Sequence, residues 1–187
     1  MNIKKWEVAP LDRERAAQLA ERYSIPFFLA MLLEIRGFSS EEKVRDLLSG
    51  GTLSDPFLMK DMDKAVERIQ RAIEGFEKIA VYGDYDADGV TATSILYTYL
   101  EAVGADVLYY IPQREGEGYG MNMGAVESLY HQGVGLIITV DNGISSVKEV
   151  ERAKELGIDV VVTDHHRPQE HLPQAYAVVD AYPEGNH

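Results

Sequence analysis

The chain contains no cysteine. Disulfides and thiolate metal sites are thereby excluded, and any metal must be held by oxygen and imidazole donors. No apolar stretch approaches the length of a membrane span, and no uninterrupted apolar run follows the two lysines of the opening MNIKKWEVAPLDRERAAQLAERY. The expected location is the cytoplasm, with no membrane partner. Basic charge is scarce as well: 18 Lys and Arg stand against 31 Asp and Glu, for a formal net charge of -13. A broad cationic footprint for nucleic acid is therefore missing, which disfavours a simple electrostatic DNA binder. Carboxylates that hold divalent ions can still meet phosphates.

What is present falls into two patterns. Up to residue 77 the chain reads as helices. Ser24-Ile25-Pro26 places proline at a first helical position before FFLAMLLEIRGF, and Gly37 is its stop. Ser39 and Glu42 have capping-box spacing ahead of VRDLLSGG. Asp61 or Asp63 can cap a third helix, whose apolar positions Ala65, Val66, Ile69, Ala72, Ile73 and Phe76 share one face. From residue 78 the periodicity alternates. IAVYG reads as a strand, VTATSILYTYLEAVG as a helix ending at Gly104, DVLYYIP as a strand, and Asn122 opens a helix to about His131. GLIITV, DVVVT and AYAVVD read as further strands, with SSVKEVERAKELG a helix that ends at Gly157. Near-continuous apolar strands separated by helices predict an α/β fold, a mostly parallel β-sheet flanked by helices on both faces. The expected division is an N-terminal helical segment, 1–77, and an α/β domain, 78–187.

Acids terminate three of these strands. VYG runs into Asp84-Tyr85-Asp86-Ala87-Asp88, ITV into Asp141-Asn142-Gly143, and VVT into Asp164-His165-His166. In an open parallel sheet the carboxyl ends of the strands share one edge, so the three clusters can converge. Helix capping accounts for a single acid such as Asp88 or Asp141, but not for three alternating acids or for a DHH triplet. Carboxylates and imidazoles without thiolate suit manganese or magnesium, with zinc or iron as the other candidates. Two such ions about 3.5–4 Å apart can activate a water, neutralise a phosphoryl group and stabilise a leaving oxygen. Asp141, alone at its strand end, is the best bridging ligand, and Asp84 and Asp86 can reach different ions if the backbone turns between them. His165 and His166 are adjacent in extended chain and are expected to point opposite ways, one ligating and the other donating a hydrogen bond to substrate phosphate. Helices beginning near Gly89 and Gly143 would add backbone N–H groups for an anion, unless the two glycines serve only as turn residues.

Other phosphate and metal motifs fail. Asp84-x-Asp86-x-Asp88-Gly89 opens like an EF-hand loop, but its twelfth position is Ile95 where a bidentate glutamate is required, and a strand precedes it. No Gly-x-Gly-x-x-Gly follows the first strand, and no Walker A lysine pattern occurs. An aspartyl-nucleophile phosphatase could use the paired aspartates; it would not need the DHH triplet.

In their order and at these strand ends, DYDADG, VDNG and TDHH resemble the first three motifs of the DHH phosphoesterase superfamily. DPFLMKDMDKAVERI at 55–69, VYGDYDADGVTAT at 81–93 and YYIPQREGEGYGMN at 109–122 are similar to the bacterial branch of that superfamily that digests single-stranded DNA from the five-prime end. The resemblance covers nearly the whole chain. It implies hydrolysis of phosphodiester bonds in single-stranded DNA by two divalent ions, Mn2+ or Mg2+, in recombination and repair, with repair or replication proteins as partners. By motif position it implies Asp84, Asp86, Asp141 and His165 as metal ligands, Asp141 bridging, with Asp88 and Asp164 as supporting acids. His166 would contact the scissile phosphate, and Arg114, the glycine loop to Tyr119, and Gly143 would border the substrate. The superfamily carries a fourth aspartate motif and a second domain beyond the point reached by AYPEGNH, so this chain is expected to be an N-terminal part of a longer protein. Two alternatives stay open: a DHH phosphoesterase acting on short RNA, cyclic dinucleotides or pyrophosphate, and a non-catalytic scaffold of this type.

Overall fold

A computed structural model describes residues 7–38, 40–51, 53–113 and 120–182, in two compact units, Met1–Ser54 and Asp55–His187. The first unit holds α1 (Arg13–Tyr23), α2 (Phe27–Ile35) and α3 (Glu41–Ser49). Asp12 caps α1 by accepting the N–H groups of Glu14 and Arg15, and Gly37, at φ 74°, follows α2. The cap of α3 is Ser40, which accepts the Lys43 N–H at 3.2 Å. The capping box at Ser39 and Glu42 is thus not the cap used, and Ser39 itself lies outside the described residues. Among the described residues of this unit, few hydrophobic side chains are buried: Ala16, Ala30, Leu33 and Val44.

The second unit contains α4 (Met62–Glu74), β1 (Ile79–Tyr82), α5 (Ala87–Ala102), β2 (Val107–Tyr110), α6 (Met123–His131), β3 (Leu136–Val140), α7 (Val147–Glu155), β4 (Asp159–Asp164) and β5 (Ala177–Asp180). The strands form one sheet in the order β2-β1-β3-β4-β5, every adjacent pair parallel. This is the α/β architecture the periodicity predicts. Alternate side chains along each strand enter two cores. Ile79, Val81, Leu136 and Ile138 meet Ala65 and Ala72 of α4 and Leu100 of α5 on one face. Ala80, Tyr82 and Ile137 meet Ala125, Val126 and Leu129 of α6 and Val150 and Ala153 of α7 on the other. Each fully buried Leu or Ile contributes about 1.5–3 kcal/mol relative to exposure, so both faces are sealed and the strand ends are left for chemistry. Because the apolar face of α4 packs on the sheet, the sheet-bearing unit begins at Asp55, ahead of the change in periodicity at residue 78. Asp61 stands at the start of α4 without capping it and pairs with Lys64 instead.

The strand order reverses between β1 and β3, the chain passing outward to β2 before returning. At such a reversal the loops diverge to opposite faces and leave a crevice at the carboxyl ends of the two strands. Among the described residues, no helix is long and apolar enough to cross a membrane.

Candidate metal centre

The crevice is where the acids gather. From β1 the chain passes through Gly83 to Asp84, which is 1% exposed. Asp84 Oδ1 is buried with no hydrogen-bond partner among the described residues, an arrangement that costs about 1–3 kcal/mol or more for a charged group. The first turn of α5 closes directly onto this residue: a Cβ on Gly89 would sit 2.6 Å from Asp84 N and O. Gly89 is therefore a packing requirement, more than a turn residue. Asp86 caps α5 through Oδ1, which accepts the N–H groups of Asp88 at 2.9 Å and Gly89 at 3.0 Å. Asp88 lies in that first turn, exposed, bordering the cleft that Asp141 and His165 also line.

At the end of β3, Asp141 adopts left-handed backbone geometry, φ 61°, a conformation Asp tolerates better than most residues. Its N–H donates to Thr163 O across the sheet. Asn142 is fully buried and its Nδ2 donates to Tyr82 O at 3.2 Å and Val140 O at 2.9 Å. One side chain thus clasps the end of β1 to the end of β3, fixing the spacing of Asp84 and Asp141. Gly143 follows at φ 107°, with Thr139 Oγ1 2.5 Å from where a Cβ would be.

At the end of β4, Asp164 organises both histidines. Its Oδ1 accepts the N–H of His165 at 2.7 Å and of His166 at 3.1 Å, and lies 2.7 Å from His166 Nδ1. Its Oδ2 accepts the Ile144 N–H at 2.9 Å. Gathering these donors on one carboxylate bends the chain, and the two imidazole centroids come within 4.5 Å of each other. The expectation that His165 and His166 point opposite ways is therefore corrected: strand alternation ends at Asp164, and the histidines belong to the bend.

Two donor groups result: Asp84, Asp86 and Asp141, and Asp141, His165 and His166, each with ligand atoms within 4.8 Å of one another. Asp141 is common to both. His165 Nε2 lies 2.8 Å from Asp141 Oδ1. Burial first, and Asp86 further, push the Asp141 carboxyl above its ordinary range, against the lowering by His165. The hydrogen bond to Asp164 raises the His166 imidazole, against burial. The residues present fit a hard divalent ion: oxygen and imidazole donors at chelating separations, and a buried carboxylate oxygen that no donor among the described residues satisfies.

The three strand ends thus converge as the sequence implies. Gly143 differs from expectation in one respect: α7 begins at Val147, after a turn closed by Ser146 N–H to Gly143 O, so no helix starts at Gly143 itself. Arg114 and Tyr119 lie outside the described residues. Asn142 and Asp180 escape the motif reading. Asp180 ends β5 in register with Asp164, and its carboxyl is pushed up by burial first, then by Asp164. An acid ending AYAVVD, as acids follow β1 and β3 and end β4, is the signal that points to it.

Residues 78–186 match the family described as DHH family, N-terminal domain. The chain is 46% identical to the single-stranded-DNA-specific exonuclease RecJ of Bacillus subtilis over 94% of this chain and 22% of that protein. It is 38% identical to the enzyme of the same name from Escherichia coli over 83% of this chain and 27% of that one. A crystal structure of exonuclease RecJ bound to manganese superposes with a TM-score of 0.64 at 39% identity, over 68% of this chain and 33% of that one. RecJ from Thermus thermophilus in complex with Mn2+ superposes with a TM-score of 0.65 at 29% identity, over 92% of this chain and 24% of that one. The chain spans between a fifth and a third of the length of these relatives.

Proposed function

The chain belongs to the DHH family, and on that premise we propose that it is the metal-binding part of a cytoplasmic exonuclease that hydrolyses single-stranded DNA from the five-prime end, in recombination and repair, with two divalent ions. The observation that carries the reading is Asp141, common to two donor groups, as a ligand bridging two ions must be. The relatives' names supply the substrate, and the manganese in two of their structures supplies the metal.

Asp84 and Asp86 would hold one ion, His165 the other, and Asp141 both. Bound there, the ions supply an activated water and neutralise charge on the phosphoryl group. The chain's own residues prepare the rest. Asp164 Oδ1 lies 2.7 Å from His166 Nδ1, a contact that would hold the ring and leave Nε2 to face a substrate phosphate. Asn142 keeps the ends of β1 and β3 together, so that the bridging and terminal carboxylates stay in register. Asp88 and Asp164 act as supporting acids.

The net charge of -13 favours a second reading: a short substrate, such as short RNA, a cyclic dinucleotide or pyrophosphate, needs no extended cationic path. The deciding experiment is manganese-dependent release of nucleotides from a five-prime-labelled single strand, with a duplex and Asp141→Ala as controls. Release confined to the single strand and lost in the variant is the expected result. Preference for the short substrates selects the second reading. An inert chain is repeated in a version extended to the relatives' length, and continued silence with every metal overturns both in favour of a scaffold.

A further inference from the structure

Beside His166, the turn between β3 and α7 borders a cavity of about 210 Å³, walled in part by Gly120, Gly143, Ser145, Ser146 and Glu149. Ser146 holds the cap position of α7, but its hydroxyl makes no cap hydrogen bond. The equivalent residues of α3, α5 and α6 all cap their helices: Ser40, Asp86 and Asn122 each accept a first-turn N–H. At φ -90° and ψ 53° the backbone of Ser146 turns its side chain elsewhere. The residue is only 7% exposed, and a Cβ built on Gly120, across the cavity, would come within 3.7 Å of Ser146 Oγ. No group among the described residues bonds to that hydroxyl. The first helical bond of α7 is from Val150 N–H to Ser146 O, which leaves the N–H groups of Val147, Lys148 and Glu149 uncapped.

A helix start without a side-chain cap and the unpartnered hydroxyl of a residue only 7% exposed therefore meet at one cavity, which Ser146 and Glu149 line together with His166. We propose that this cavity is a phosphate subsite adjoining the metal centre at His166, in which Ser146 Oγ and the N–H groups of residues 147–149 hold a phosphate next to the cleaved one in the strand. The identity of the strand rests on the function proposed above; the anion chemistry does not. Backbone N–H groups and a helix dipole bind phosphate without a lysine or arginine cluster, which suits a chain this acidic. Asp164, on the same wall, has its charge met by the N–H groups of Ile144, His165 and His166 and by the His166 ring. Glu149 is the opposing charge, half-buried at the wall.

The test uses the full 187-residue chain in chelator, without divalent ion, and follows backbone amides by NMR. Inorganic phosphate is expected to shift the amides of Val147, Lys148 and Glu149 saturably, and a thymidine dinucleotide with one internal phosphate to shift the same three. Ser146→Asp supplies its own carboxylate to the helix start, so phosphate affinity falls by roughly tenfold while the melting temperature does not fall. Glu149→Gln tightens binding. Unmoved amides in the parent chain, or a parent-like response in Ser146→Asp, overturn the subsite. A response to inorganic phosphate without one to the dinucleotide overturns its assignment to a strand. Asp141→Ala, expected to abolish hydrolysis, should leave the phosphate response intact, so failure of the subsite and failure of the hydrolytic reading are told apart.

Discussion

The two edges of the parallel sheet treat charge in opposite ways. At the amino edge, Arg68 of α4 is 4% exposed and donates both terminal nitrogens to Glu77, at 2.7 and 2.8 Å, and Nε to Asp159 at 2.6 Å. Its guanidinium also lies 5.9 Å from the Tyr176 ring centroid. One cation and two acids close on themselves there. At the carboxyl edge, Asp84, Asp86 and Asp141 converge, the His165 and His166 imidazoles lie against Asp141 and Asp164, and one buried carboxylate oxygen finds no donor among the described residues. The same sheet carries one ion cluster closed by its own counter-charges and one that the described residues leave with an unsatisfied carboxylate oxygen. The first is expected to carry stability, and the second ligand affinity.

That contrast can be broken most directly at Arg68. Arg68→Ala strands Glu77 and Asp159, and is expected to cost about 2–4 kcal/mol, less than a fully buried pair because both acids keep contact with water. Urea unfolding measures it, and manganese affinity should be unchanged; a parallel loss of affinity would show that the edges are not independent. At the other edge, Asp84→Ala should lower manganese affinity by about 100-fold or more, read by calorimetry. A stability loss matching that of Arg68→Ala would mean that Asp84 serves the fold.

Gly89→Ala sharpens the comparison by joining stability to affinity. Its methyl group would meet the Asp84 backbone at 2.6 Å, so the variant should lose about 1–3 kcal/mol and also bind manganese more weakly. Loss of stability alone would show that Asp84 keeps its position when α5 shifts.

The smallest effect is a pH dependence. Asp141 and Asp180 both have carboxyls raised above 3.8, by burial first. A raised carboxyl binds its proton more tightly in the folded chain than in the unfolded one, so stability is lost as pH rises from about 3.8 through the raised values. Melting temperatures of the metal-free chain should show this decline. Manganese should offset the part due to Asp141, since a cation favours the ionised form. A flat profile would remove the charge strain from the carboxyl edge.

Much of this was legible from short-range patterns. Apolar runs between helices gave the parallel sheet, Asn122 marked the start of α6, and the acids after β1, β3 and β4 marked the crevice. What the motifs missed involves residues far apart in sequence or backbone turns that periodicity does not describe. Asp180 meets Asp164 only through the β4–β5 register. The histidines lie together because Asp164 collects their N–H groups. Ser146 resembles an ordinary helix cap until its dihedral angles are known.

By itself the sequence determined which residue types stand at the ends of which strands, because strand period, helix caps and turn residues are settled within a few neighbouring positions. Only the tertiary structure decided that these ends form one centre. Asn142 reaches Tyr82 across 60 residues and Asp164 reaches Ile144 across 20, and such contacts exist only once the strands have taken their order. A carboxylate's pattern is local. Its partners, and hence whether it needs a cation, depend on which segments the packed core brings alongside.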